Sequence, residues 1–509
     1  MKVLKHILIL LVAGFVISSC SLQEDPTFLS QESAFANLGN ARSTLDGVYN
    51  GMAAYHYFGN DFLYLSFGSS GYFVSGAGGN SQATDNKFLC SLKPQPSATY
   101  TENSWQGMYL VIERANTIIA NMDVVEDPKD ANELGWNEVI GEAYFLRAFT
   151  YFNLVRLWGD IPLRLEPTDA NNINKPKSST DVVYSQILAD ADMAKKLMFP
   201  KGLERSGYPA AEAAAMLKAK VYMQMATTND KVPAGDNFWQ LAYNEAKEVY
   251  GKYMLVNNYA DLFKEQQGNN TVESIFEIQF NDIARSNYVK FFTAPKATKG
   301  KTWGRIKFNA ELVDYHMAAY PDDSIRLTQT FKTSYIKMDN MKTVKLYPEN
   351  ITRKSFGSAF PFEYKYWEKN ANNAANYNFQ NFIVYRYADL LLMLAEISNE
   401  LQNGEQMTYL TEVLDRVGLN PRPEYSQGQE AFREAIMEEY RYELLGEAHD
   451  WFNNRRRGYE YFKSHVIIPH NTSPIFKESV DVTLADDKEV VMHVPIPTSE
   501  INTNEDIDN

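Results

Sequence analysis

Residues 138–162, "EVIGEAYFLRAFTYFNLVRLWGDIP", are apolar on nearly every side of a helical wheel. A helix without a polar face cannot lie on a surface, so other elements must sheathe it, and Gly159 followed by Pro162 ends it. The rest of the chain can supply that sheath. Helical spacing recurs over about 31–55, 101–122, 136–158, 181–198, 208–227, 237–250, 382–400 and 429–457. Sustained alternation is rare, so the body is expected to be mainly α-helical.

Residues 208–263 read as a helix pair. Ala214, Ala219, Ala242 and Ala246 are small enough to let two helices approach closely, as in tetratricopeptide-type hairpins. "ESIFEIQF" at 273–280 predicts one short strand. Three stretches, 56–100, 281–307 and 351–380, are rich in Gly, Asn, Ser and aromatic residues without helical spacing. Long irregular segments in a helical protein are either functional or disordered, and a high aromatic density argues for order. The chain as a whole is 13% aromatic, with 32 Tyr and 29 Phe, a surplus that calls for a reason.

Lys2 and Lys5 precede the apolar run Ile7 to Ile17, too short for a membrane span of about 20 residues but suited to a secretory signal. Ile17, Ser18, Ser19 and Cys20 follow and resemble a bacterial lipobox, in which the cysteine is acylated and becomes the first residue of the mature protein. Two or more acyl chains anchor stably, at about 0.8 kcal/mol per buried methylene. The alternative is a plain signal peptide with an incidental cysteine. Glu24 and Asp25 resemble the acidic surface-export signal of Bacteroidetes lipoproteins. The expected division is thus a signal peptide at 1–19, a lipidated tether at 20–30 and a single domain at 31–509.

The charge balance excludes some partners. The formal charge is -15, and removing residues 1–19 leaves 47 basic against 64 acidic residues, which disfavours nucleic acid and anionic lipid. With Cys20 acylated, Cys90 is a lone thiol, expected to be a small buried residue. No zincin helix, phosphate-binding glycine loop, nucleophile elbow, EF-hand loop or paired CxxC is present. His449, with Glu447 and Asp450 nearby, reads as a partly exposed helix face, since these spacings do not converge on a metal. In "REAIMEEYRYELLGEAHDWFNNRRRG" the charged flanks predict pairs within one helix, and Arg455, Arg456 and Arg457 a complement to its C-terminal dipole.

Six segments in order then resemble the SusD/RagB family of Bacteroidetes surface lipoproteins: "WQGMYLVIERANTII" with Trp105, Tyr109, Ile112 and Asn116; "GEAYFLRAFTYFNLVRLWGDIPL"; the helix pair at 208–263; "RYADLLLMLAE"; "EEYRYELLGEAHDWFNNRRRG"; and "VPIPTSEINTNEDIDN". Thr411, Leu414, Asn453 and Asp508 depart from the family pattern at scaffold positions. The resemblance implies a SusD-like fold, with tetratricopeptide-like helix pairs as scaffold, long irregular loops and a few short strands. It implies no cofactor and no enzymatic activity. It further implies glycan capture at the outer-membrane surface for a SusC-like TonB-dependent transporter, over which the protein opens and closes as a lid. An oligopeptide-binding member of the family is the alternative.

Sugars present C–H faces rimmed by hydroxyls, so a binder needs flat aromatic platforms edged by Asn, Asp, Arg or Lys. The ligand-binding candidates are Tyr72, Phe73, Asn80, Asp85 and Asn86 in the first irregular stretch, Tyr288, Trp303 and Arg305 in the second, and Trp367 in the third. Core or loop packing is the competing role for each.

Overall fold

The computed structural model describes residues 31–75, 81–228, 237–265, 267–281, 285–296, 302–349, 360–367, 375–474 and 483–508. Cys20 with the rest of 1–30, and Asn80, lie outside the described residues, as do 350–359 and 368–374 in the third irregular stretch. Helices of eight residues or more run over Leu38–Met52 (α1), Asp61–Gly68 (α2), Ser81–Cys90 (α3), Thr99–Asn121 (α4), Ala131–Trp158 (α5), Thr180–Leu197 (α6), Ala211–Thr227 (α7), Phe238–Val249 (α8), Glu311–Ala319 (α9), Tyr387–Leu401 (α10), Gln406–Asp415 (α11) and Gln429–Leu444 (α12). The strands Phe73–Ser75 (β1), Ser274–Ile278 (β2), Ile306–Phe308 (β3), Ser334–Ile336 (β4), Thr343–Lys345 (β5) and Phe382–Arg386 (β6) are short. They pair antiparallel, two by two: β1 with β3, β2 with β6 and β4 with β5. Among the described residues no helix is long and apolar enough to cross a membrane.

The helices stack in succession: α1 on α4, then α4, α5, α6, α7 and α8 each on the next, α8 on α10, and α10 on both α11 and α12. α5, the helix without a polar face, is buried along most of its length. The Asp130 carboxylate caps its start by accepting from the amides of Asn132 and Glu133 at 2.8 and 3.0 Å. Its end is the left-handed Gly159, φ +76°. At Gly141 a Cβ would lie 2.8 Å from Leu197 Cβ, so a glycine is what lets α5 touch the end of α6. Arg147, buried on α5, makes paired bonds of 2.7 Å to Asp190 on α6 and one of 2.8 Å to Asn116 on α4. Ala214, Ala219, Ala242 and Ala246 are fully buried where α7 and α8 pack, as their size predicts.

Three expectations are corrected. The stretch 56–100 is not one irregular loop but carries α2 and α3. α2, "DFLYLSFG", is buried on all sides, and a segment apolar all round has no periodicity to announce itself. The run 382–400 begins as strand β6, paired to β2, before turning into α10. The run 429–457 is broken between α12 and the short helix Asp450–Arg456. Gly446 at φ +83° and Ala448 at φ 61° make the break, and Asp450 Oδ2 accepts from the Gly446 amide at 3.2 Å.

The charged run around α12 also behaves differently from a solvated face. Glu439 and Glu443 are fully buried, and their partners come from distant segments: Arg326 for Glu439 at 2.6 Å, Arg386 for Glu443 at 2.7 Å. Glu447 takes Arg386 at 2.7 Å and Lys365 at 2.6 Å. His449 stays partly exposed, 4.0 Å from Asp389, and burial of the rest of its ring lowers its pKa to about 4. Arg456 and Arg457 converge on the buried Glu396 of α10, while Arg455 donates to the Val491 and Ser69 carbonyls at 2.7 and 2.8 Å. The arginines therefore clamp separate segments instead of capping one helix, because a buried charge must be met by an opposite charge or by several dipoles.

Candidate functional site

Three segments far apart in the chain meet beside α2. The first is the turn Tyr55–Gly59 between α1 and α2. Its Gly59 carbonyl accepts from the Tyr288 amide at 2.9 Å, which brings in the second segment. Asn287 and Asn378 exchange backbone bonds of 2.9 and 3.0 Å, and Asn287 Nδ2 donates to the Gln380 carbonyl at 2.9 Å, which brings in the third. A Cβ on Gly59 would lie 2.8 Å from the Ala54 carbonyl oxygen, so only glycine closes the first turn this tightly.

This arrangement places aromatic rings in a row. Tyr55 and Tyr288 stand edge-to-face with centroids 5.0 Å apart, Tyr288 and Tyr377 follow at 5.5 Å, and Tyr377 and Phe379 at 5.7 Å. Tyr55 is 40% exposed, and Tyr288 and Tyr377 are half-buried. A polar group lies at one end of the row. The buried Asp61 carboxylate is bonded by Asn60 Nδ2 at 2.8 Å, Asn103 Nδ2 at 2.8 Å and His56 Nδ1 at 3.1 Å. Burial raises the Tyr55 phenol above its ordinary pKa, and the nearby Asp61 charge adds to the effect.

Trp303 and Arg305 lie on the strand-like approach to β3. The Trp303 amide donates to the Phe291 carbonyl at 2.9 Å and Thr302 Oγ1 to the Pro295 carbonyl at 2.9 Å, pinning the base of the loop. Gly304 stands between them at φ +51°. Trp303 is left 48% exposed, with Lys296 Nζ 5.1 Å from its ring centroid. The Arg305 guanidinium sits 4.9 Å from the Phe291 ring and 5.8 Å from that of Tyr64. The Tyr64 hydroxyl donates to Asn86 Oδ1, and burial holds its pKa well above the ordinary value.

The sequence candidates therefore separate into groups. Tyr288, Trp303 and Arg305 present accessible or half-buried side chains around α2, and Asp85 is half-buried with its carbonyl accepting from Tyr100 at 3.3 Å. Asn86 is buried on Tyr64. Tyr72 and Phe73 enter the main core, Phe73 packing on Phe308 at 4.5 Å and Phe67 at 5.4 Å, so neither offers a ring face to a ligand. Trp367 is buried with Ala294, Leu346 and Phe362, and meets Tyr364 edge-on at 5.6 Å. Tyr55, Asp61 and Tyr377 are additions that sequence reasoning missed. Tyr55 closed an apparent helix, and Tyr377 lay in a run of asparagines with no period. The one available signal was "YHYFGN", where aromatics and Gly interrupt helical spacing.

Comparison with known proteins bears on the same architecture. Residues 218–509 match the family profile described as the SusD family, and residues 26–223 one described as starch-binding associating with outer membrane. The chain is 24% identical over 497 residues to SusD-like protein P25 of Formosa agariphila, covering 88% of this chain and 89% of that one. Its fold is similar to that of a SusD homolog from Bacteroides thetaiotaomicron, with TM-score 0.75, 20% identity and coverage of 96% and 99% of the two chains. It is also similar to surface glycan-binding protein A from Bacteroides thetaiotaomicron in complex with laminarihexaose, with TM-score 0.70, 18% identity and coverage of 92% and 98%.

Proposed function

The chain belongs to the SusD family, and on that premise we propose that it is a glycan-binding lipoprotein of the cell surface that captures oligosaccharide or polysaccharide for a TonB-dependent outer-membrane transporter. The observation that carries this reading is the row Tyr55–Tyr288–Tyr377, with centroid spacings of 5.0 and 5.5 Å, beside the exposed Trp303. Such rings offer flat apolar faces to the C–H side of sugar rings. Asp61, with Asn60, Asn103 and His56 around it, supplies fixed acceptors and donors at one edge, and Arg305 supplies donors near Trp303. Because backbone bonds between the three segments hold the rings in place before any ligand arrives, little ordering cost opposes binding.

In this reading the protein binds and does not cleave. It closes over its transporter as a lid, and acylation of Cys20 keeps both partners on one membrane, which raises their effective concentration. The test is a glycan array followed by calorimetry on the hits, with chromatography of the recovered ligand, and co-purification with the transporter expressed alongside it. One glycan class bound and recovered intact, together with a stable complex, is the expected result. Oligopeptides bound in place of glycans would move the ligand class to peptide, and shortened glycan products would overturn the binding-only role.

A further inference from the structure

A cavity of about 540 Å³ opens between α9, α12 and the loop after α11, and its lining includes Tyr315, Arg422, Glu424, Glu438, Arg441 and His465. It shares no residue with the row of rings described above. Arg441 lies 5.3 Å from the centroid of Tyr315 and 5.2 Å from that of Tyr442, and its Nη2 donates to the Tyr442 hydroxyl at 3.4 Å. Arg422 donates through Nη1 to Glu438 Oε2 at 2.7 Å. The other oxygen of the same carboxylate, Oε1, stands 4.0 Å from Arg441 Nη2.

That separation is too long for a direct hydrogen bond, but one oxygen atom about 2.8 Å from each group bridges it. An oxygen in that position must accept from a guanidinium and donate to a carboxylate. A hydroxyl does both, whereas a carboxylate or phosphate oxygen can only accept. The charges also suit a neutral ligand: Arg422 and Arg441 face Glu438 and Glu424, and His465 is paired with Glu434 at 2.6 Å. Beside the bridge position Tyr315, 36% exposed, presents a ring to the cavity.

We propose that this cavity is a second saccharide site, in which one hydroxyl of a neutral sugar bridges Arg441 and Glu438 while a C–H face of the ring lies on Tyr315. A sugar hydroxyl there makes both bonds at once, accepting from Arg441 and donating to Glu438. The choice of ligand class rests on the glycan reading above; the location and the bridging role rest on this geometry.

The experiment uses four proteins: the unaltered mature chain, a first-site variant (Tyr288→Ala with Trp303→Ala), a cavity variant (Tyr315→Ala with Glu438→Gln), and the combination. Glutamine keeps an acceptor for Arg422 but turns an amide N–H toward the bridge. Each is titrated by calorimetry against hexasaccharides of α-glucan, β-glucan, mannan, xylan and galactan, with thermal midpoints checking the fold. The first-site variant is expected to retain binding to a hexasaccharide, and the combination to bind it on the order of tenfold more weakly or not at all. The cavity variant alone is expected to lower the stoichiometry from two to one. A first-site variant with no residual binding, residual binding indifferent to the cavity substitutions, or an unchanged stoichiometry in the cavity variant overturns the second site alone. An unaltered chain that binds none of the five overturns the glycan reading with it.

Discussion

Arg386 Nε and Nη2 donate to the two oxygens of Glu447 at 2.7 and 2.9 Å, with both side chains shut off from solvent. Arg386 also reaches Glu273 at 2.8 Å and Glu443 at 2.7 Å, so one guanidinium joins β6, the segment before β2, the end of α12 and the turn that follows it. A fork-shaped donor satisfies several carboxylates at once, which an ammonium on the same stem could not do.

Removing either partner leaves an uncompensated buried charge. Arg386→Met or Glu447→Gln is expected to lower the unfolding free energy by about 3–5 kcal/mol, measured by urea titration. The double substitution should cost less than the sum of the two, and single variants within the error of the unaltered chain would show that the pair adds nothing.

The same clusters set the acid limit. Arg456 and Arg457 hold Glu396 at about 2, Arg386 and Lys365 hold Glu447 at about 2, and Arg416, Arg386 and Arg326 hold Glu443 lower still, all against opposing burial. Carboxyls depressed in the folded state contribute stability above their unfolded value of about 4.3 and lose it as the pH falls towards 2. Burial acts the other way on Asp450 and Glu311, both raised to about 7, whose contribution is full below their unfolded values and is lost as the pH rises through 7. The thermal midpoint is therefore expected to peak in mildly acid buffer and to fall steeply below about pH 4. A midpoint that stays level from pH 5 down to 2 contradicts the assignment.

Gly59 ties the first turn to Tyr288. Gly59→Ala would place a Cβ 2.8 Å from the Ala54 carbonyl oxygen, forcing the turn open and moving the Gly59 carbonyl that receives the Tyr288 amide. Glycan affinity is expected to fall on the order of tenfold, with a stability loss of about 1–3 kcal/mol. Calorimetry and denaturant titration on one sample separate the two effects.

Trp303 and Phe73 should behave oppositely. Trp303→Ala is expected to weaken glycan binding by about threefold to tenfold with little change in stability, because the ring is 48% exposed. Phe73→Ala empties a core position between Phe67 and Phe308 and should cost about 3–5 kcal/mol, while the folded fraction binds normally. The reverse pattern would put the ligand elsewhere.

Cys20→Ala should leave glycan affinity unchanged and release the protein from the membrane fraction. Metabolic labelling with a palmitate analogue reads the outcome directly. A variant that is still acylated and sediments with membranes would refute lipidation at this residue.

The helical body was legible without knowledge of neighbours, because apolar periodicity and the all-round apolar composition of α5 are local properties. The sequence also carried the strand in 273–280 and the close α7–α8 packing, through residue type and size. It could not tell Tyr72, Phe73 and Trp367 from Tyr288 and Trp303, since an aromatic ring fills a core and forms a platform with the same chemistry. Tertiary structure selected which rings stay at the surface, by drawing residues 55–59, 287–288 and 378–380 together through hydrogen bonds whose partners lie far apart in the chain. It decided the fate of the charges around α12 for the same reason. Whether a glutamate faces water or an arginine depends on what the fold brings against it.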